Sequence, residues 1–214
     1  MPKFLTSGFA VLCAGVALSA ASLPNPAIDA PKSEKKTDVA VVAGGCFWGI
    51  EAVFDSLKGV TDAVSGYAGG NKSTAHYEIV STGTTGHAES VQITYDPSQI
   101  SFGQLLKIFF TVHDPTEVNR QGPDDGSQYR SEIFYTNEEQ KKVAEAYIQQ
   151  LNASKVFRKP IATKVEPLKE FYRAEDYHQD YAVKNPNQGY IVVNDLPKVA
   201  HVRQEFPTMV KGTK

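Results

Sequence analysis

Cys46 is the residue of this sequence whose surroundings most invite chemistry, because it follows Gly44-Gly45 and precedes Phe47-Trp48-Gly49. The recurrence of Phe47, Ile50, Phe54 and Leu57 predicts a helix that begins at this point. A thiol in the first turn of a helix meets the positive end of the dipole and unpaired backbone N–H groups, and both favour the thiolate. Two glycines let the chain turn tightly and keep the sulfur approachable, while Phe47 and Trp48 supply a flat apolar wall. The plainer alternative is a cysteine buried as a small hydrophobe. His76, His87, His113, His178 and His201 show neither His-x3-His spacing nor the acidic helix motif of a zinc hydrolase, so no metal site is expected.

The elements that must position Cys46 alternate between strand and helix patterns. Asp38 to Ala43 is a β-branched run that predicts a buried strand, and Val60 to Ser65 predicts a second. Gly66 to Asn71 reads as loop. From Ala88 to Tyr95 the residues alternate, with Glu89 opening the strand and Val91, Ile93 and Tyr95 on one face. Ser101 and Gln104 form a capping box that starts a helix at about residue 102, to end near Asp114-Pro115. Residues 114–128 are a polar loop too long for a plain connector, which makes them a functional candidate. Ile133 to Tyr135 predicts a strand, Thr136 with Glu139 caps a helix running to about Asn152, and Ile161 to Glu166 predicts a further strand. Short helices are expected near 174–182 and 197–205. Together these predict an α+β fold, a single two-layer domain with a mixed β-sheet and packed helices.

Length and composition agree with one globular domain. The chain has 214 residues, 41% of them hydrophobic, and its 22 basic against 24 acidic residues give a net charge of -2. That balance disfavours a disordered chain or a polybasic nucleic-acid binder. Two cysteines make no disulfide scaffold. Lys3 followed by the uncharged stretch Phe4 to Ala21, which ends in small residues, predicts an export signal over residues 1–21, with an uncleaved anchor as the alternative. Cleavage would remove Cys13 and leave Cys46 alone in a periplasmic or secreted protein. Residues 22–37, with Pro24, Pro26 and Pro31 and three lysines, read as a linker to a catalytic domain over 38–214.

Five blocks in order carry a resemblance: Gly44-Gly45-Cys46-Phe47-Trp48-Gly49, Gly66-Tyr67-Ala68-Gly69-Gly70, Gly86-His87-Ala88-Glu89, His113-Asp114-Pro115-Thr116 and Gln128-Tyr129-Arg130-Ser131. Over residues 38–206 the chain resembles the A-type peptide methionine sulfoxide reductases, an enzyme class that reverses methionine oxidation. The resemblance implies that Cys46 is the nucleophile, Glu89 the acid, Tyr77 and Tyr129 the hydroxyl donors and Asp124 a further polar member of the site. It also implies action on the S epimer at sulfur. Tyr177-His178-Gln179-Asp180-Tyr181 matches another block, which places His178 as a lining or supporting residue.

Those roles are chemically coherent. A sulfoxide sulfur becomes electrophilic only when its oxygen is made a better leaving group, so a proton donor must stand beside the thiolate. Glu89 serves only while protonated, and burial against Phe47 and Trp48 together with a neighbouring thiolate would raise its pKa. Tyr77 and Tyr129 can donate to the sulfoxide oxygen without changing charge, and with Phe47 and Trp48 they are the expected substrate-binding residues. Sulfur or methyl contact with the aromatic wall is worth about 0.3–1.5 kcal/mol.

One departure bears on the mechanism. Many family members carry further cysteines near the C-terminus, whereas Gly189 to Lys214 has none. The resulting expectation is a Cys46 sulfenic acid resolved by an external thiol, a thioredoxin-like protein or a small dithiol, with no other cofactor. Expected partners are oxidised methionine-containing proteins or peptides and that reductant, with no nucleic acid, and the chain is expected to be a monomer. Two alternatives stand beside this reading: an exported protein that binds methionine sulfoxide without efficient turnover, and a Cys/His acyl-transfer enzyme with a histidine base beside Cys46.

Overall fold

The computed structural model describes residues 22–30 and 36–212. The segment expected to be an export signal, with Cys13, lies outside the described residues. The strands are β1 (Asp38–Gly44), β2 (Val60–Ala68), β3 (Ala88–Tyr95), β4 (Arg120–Gln121), β5 (Asp124–Asp125), β6 (Ser131–Tyr135), β7 (Lys164–Pro167) and β8 (Phe171–Arg173). The helices are α1 (Phe47–Asp55), α2 (Tyr77–Val80), α3 (Phe102–Val112), α4 (Glu138–Ser154), α5 (Tyr181–Lys184) and α6 (Leu196–Glu205). Six strands form one sheet in the order β7-β6-β1-β3-β2-β8, and β4 pairs with β5 in a separate ribbon. All neighbours in the large sheet are antiparallel except β6 and β7. This is the mixed-sheet α+β domain that the sequence pattern predicts.

Alternation along the strands sorts the two faces of the sheet. Ala40 and Val42 of β1, Val91, Ile93 and Tyr95 of β3 and Ile133 of β6 enter the main core with Ile50, Val53 and Phe54 of α1 and Leu106 and Phe109 of α3. Val41, Ala43, Ala68, Ala88 and Phe134 face the other way into a smaller cluster covered by Leu168 and Phe171. The Ser101–Gln104 capping box is present on α3.

Several boundaries differ from the sequence reading, among them the strand expected from Ile161, which begins only at Lys164. Gly66 to Ala68 belong to β2, because β3 pairs with them on one side and β8 on the other, so the loop starts only at Gly69. The cap of α4 is Asn137, whose side chain accepts from the Gln140 N–H, and not Thr136. Residues 24–30, within the segment read as linker, lie against the helices. Tyr147 donates its hydroxyl to the Pro24 carbonyl at 2.8 Å, and Lys107 donates to Asn25 Oδ1 at 2.9 Å. Asp29 accepts from Ser101 Oγ at 2.5 Å and from the Gly103 N–H at 2.8 Å, so it serves the first turn of α3 as a cap supplied from outside the helix.

Candidate active site

Cys46 stands at the N-cap of α1, where β1 has just ended. The turn between them needs Gly45, whose φ of +93° an L side chain rarely adopts. A Cβ there would also fall 2.6 Å from Gln121 of the β4–β5 ribbon, so the ribbon packs directly on the cysteine turn. Beneath α1, β3 presents Glu89 on the same face as Val91, Ile93 and Tyr95. Glu89 is 2% exposed, and its Oε2 accepts the Phe47 N–H at 3.1 Å. One of the free donors of the helix start is therefore given to the carboxyl beside the thiol.

Burial governs the charge of both groups. It pushes the Glu89 pKa up to about 8 against the opposing Phe47 N–H, with Asp124 and Asp195 adding to the rise. Burial also pushes the Cys46 thiol well above its ordinary value, and the charges of Glu89 and Asp195 act in the same direction. The Trp48 N–H and Lys198 favour the thiolate but are outweighed. The sequence expectation of a thiolate favoured by the helix N-terminus is thus corrected: desolvation exceeds the helix-end effect, and near neutral pH both partners rest uncharged.

Tyr77 and Tyr129 reach the same place from separate elements. Tyr77 opens α2, and its N–H donates to Glu175 Oε1 at 3.0 Å, while Tyr67 of β2 donates to Glu175 Oε2 at 2.8 Å. Tyr129 closes a short helical turn over Ser127–Tyr129. Ser127 Oγ donates to the Gly83 carbonyl at 2.6 Å, and Arg130 donates to the Gly86 and His87 carbonyls at 3.0 and 3.1 Å, which ties that turn to the chain just before Glu89. Both phenol pKa values are raised, by burial first and then by the charge of Glu89, with Cys46 contributing to each. Asp124 in β5 accepts the hydroxyl of Tyr190. All five polar residues singled out in the sequence therefore converge.

Phe47 is 1% exposed, and Trp48 is half-buried over it, with ring centres 6.3 Å apart. Trp48 stacks on Tyr181 of α5 at 3.9 Å and 14°, meets Tyr190 edge-on at 6.0 Å and donates its indole N–H to His178 Nδ1 at 3.1 Å. Sequence reading missed Tyr190 and gave Tyr181 no role beyond its place in the Tyr177–Tyr181 block; both sit in short, irregular C-terminal elements with no period to mark a face. It also missed Asp195, fully buried and paired with Lys198 at 3.0 Å. A Cβ on Gly49 would stand 2.2 Å from Asp195 Oδ1, so α6 approaches α1 where the helix carries no side chain, one turn beyond Cys46.

None of the described hydrogen bonds of the buried histidines is made to Cys46, and the His178 ring is hydrogen-bonded to the site only through Trp48. His113 donates Nδ1–H to the Phe109 carbonyl at 2.7 Å and accepts from Ser131 Oγ at 2.8 Å. His87 accepts the Gly70 N–H at 3.2 Å and donates to the Asn71 carbonyl at 3.0 Å. These bonds give no support to a Cys/His acyl-transfer site. No group of three or more metal-ligating side chains occurs among the described residues.

A buried thiol, a protonated carboxyl, two phenols and an aromatic wall form a site suited to taking oxygen from a sulfur centre. Residues 38–209 match the family model described as peptide methionine sulfoxide reductase. A peptide methionine sulfoxide reductase MsrA 2 of Mesorhizobium japonicum is 55% identical over 179 residues, covering 83% of this chain and 92% of that protein. One from Synechocystis is 53% identical over 194 residues, covering 89% of this chain and 91% of the other. The crystal structure of Mxr1 from Saccharomyces cerevisiae in reduced form is similar with a TM-score of 0.67 and 38% identity, over 75% of this chain and 91% of that one.

Proposed function

The chain belongs to the peptide methionine sulfoxide reductase family, of the A type, and from that premise we propose how its own residues carry the thiol-dependent reduction of methionine sulfoxide to methionine. The observation that supports the reading best is Glu89, a carboxyl held protonated near neutral pH and joined through the Phe47 N–H to the helix start that bears Cys46. The sulfoxide methyl lies on Phe47 and Trp48, and its oxygen receives hydrogen bonds from Tyr77 and Tyr129. Glu89 gives its proton to that oxygen, which makes the sulfur electrophilic. The Cys46 proton then passes to the new Glu89 carboxylate as the sulfur of Cys46 attacks. Oxygen leaves the substrate and ends on Cys46, so thiol plus sulfoxide become sulfenic acid plus methionine, and Glu89 is again protonated.

Asp124 and Tyr190, joined by their hydrogen bond, close the polar side of the site, and the charge of Asp124 favours a neutral Glu89. The sulfenic acid is resolved from outside: one thiol displaces water to form a mixed disulfide with Cys46, and a second thiol releases the enzyme thiol and a disulfide. A thioredoxin-like protein or a small dithiol supplies both electrons. Support for an external donor comes from Gly189 to Lys214, which has no cysteine and contributes Tyr190 to the aromatic wall and α6 to the back of α1. Export to a periplasm or beyond is proposed on the strength of Lys3 and the uncharged stretch that follows it.

Turnover of separated sulfoxide epimers in a peptide, with dithiothreitol as reductant, tests the reading. The S epimer yields methionine through many cycles and Cys46→Ser yields none. Binding of the S epimer with a single stoichiometric burst and no cycling would favour the sulfoxide-binding alternative.

A further inference from the structure

We propose that His178 is a positioning residue for the methyl-binding wall: as the neutral imidazole it holds Trp48 in place by accepting the indole N–H, and on protonation it lets Trp48 go. The inference rests on the reading of Phe47 and Trp48 as the surface that receives the substrate methyl. Its geometry is independent of that reading.

His178 is 1% exposed and lies at the centre of the aromatic cluster. Its ring centre is 5.0 Å from Phe47, 5.7 Å from Trp48, 4.5 Å from Tyr77 and 4.2 Å from Tyr177. An indole N–H only donates, so the Nδ1 atom 3.1 Å from Trp48 Nε1 must carry a lone pair. The proton of the neutral ring therefore sits on Nε2, which is buried without a hydrogen-bond partner among the described residues, with Glu175 Oε2 at 3.9 Å. An imidazolium would set Nδ1–H against the indole N–H, donor against donor. Its charge would draw the ring toward Glu175, the same carboxylate that holds the Tyr77 N–H. The two walls that grip a sulfoxide, Trp48 and Tyr77, thus meet at this histidine.

The groups facing His178 can be named. Phe47 and Trp48 come from α1 and are uncharged, Tyr77 and Glu78 come from α2, and Glu175 and Tyr177 flank it on its own segment. Glu175 and Glu78 favour the protonated ring, but burial outweighs them and holds its pKa below 6.5. The holding contact is therefore intact at neutral pH and is lost on acidification.

Trp48 is the only tryptophan in the sequence, so tryptophan emission reports on the surroundings of this one side chain, and the His178 variants assign the change to this contact. Emission from the whole protein should titrate with a midpoint below pH 6.5, quenched on the acid side where an imidazolium faces the indole. His178→Asn keeps an acceptor near the Nδ1 position and cannot be protonated, so it should abolish the titration. It should also leave KM for an S-sulfoxide peptide within about threefold of the parent value. His178→Leu removes the acceptor and should raise KM about tenfold with kcat little changed, the size expected for a buried hydrogen bond lost from a binding wall. The proposal is overturned if emission shows no His178-dependent titration, or if Asn and Leu raise KM equally. Should the leucine variant fail to fold, the asparagine variant and the parent titration decide. Should the protein reduce no sulfoxide at all, the functional reading fails while the emission titration still judges His178.

Discussion

Replacing Glu89 by Gln should damage the chemistry and strengthen the fold, and both effects follow from one buried carboxyl. Its pKa of about 8 leaves about nine-tenths of it protonated at pH 7, against about 0.3% for a carboxyl at the ordinary 4.5, so burial supplies roughly 300-fold more of the working acid. The amide of the Glu89→Gln variant can still accept the Phe47 N–H, yet it has no acidic proton, and kcat should fall by about 10²–10⁴. The stability effect has the opposite sign. Because the folded pKa lies above the unfolded one, the stability linked to Glu89 is complete below about pH 4.5 and is lost as pH rises toward about 8. At pH 7 the unfolded chain gains about 3 kcal/mol by ionising this residue, and at pH 5 less than about 1 kcal/mol. The variant, free of that loss, should melt about 6–12 °C higher than the parent at pH 7 and only slightly higher at pH 5. Melting curves at the two pH values, paired with methionine formation from the S epimer, measure both halves. A melting difference that does not grow with pH, or a variant within threefold of parental turnover, would refute the reasoning.

Gly49→Ala should cost about 1–3 kcal/mol, because the added Cβ would stand 2.2 Å from Asp195 Oδ1 and force α6 away from α1; urea unfolding measures it, and an unchanged midpoint would contradict the close approach. Asp29→Ala removes the acceptor for Ser101 Oγ and the Gly103 N–H, so it should lower stability by about 1 kcal/mol while steady-state turnover stays at the parental rate. Tyr190→Phe takes the hydroxyl from Asp124 and should lower kcat/KM about tenfold with the fold intact by circular dichroism. Full activity in that variant would remove Tyr190 from the site.

What was legible in the sequence was whatever local chemistry writes down. Cys46 between glycines and aromatics, the Ser101–Gln104 box and the alternation of β3 each depend on neighbours a few residues away, and each appears where expected. Even the burial of Glu89 was readable, since it shares the odd positions of β3 with Val91, Ile93 and Tyr95. The misses depend on distant partners. Gly66 and Tyr67 look like loop until β3 and β8 pair with them on either side. Asp29 looks like part of a spacer until it meets the start of α3, 72 residues later at Ser101. Tyr181 and Tyr190 carry no period because they lie in short turns whose places are set by Trp48 and Asp124. The charge of Cys46 was misjudged for a related reason: a helix start is visible in sequence, whereas the depth at which it is buried is a property of the whole fold.

The most direct test of Cys46 as the oxygen acceptor is a single turnover without reductant. Reduced protein mixed with excess S-sulfoxide peptide should release one methionine per chain, and sulfenate-selective trapping should leave one reagent adduct on Cys46, its sulfur bonded to the reagent as the sulfenic oxygen departs as water. Methionine released with no modification of Cys46, or no methionine from protein whose Cys46 is fully reduced, would contradict the assignment.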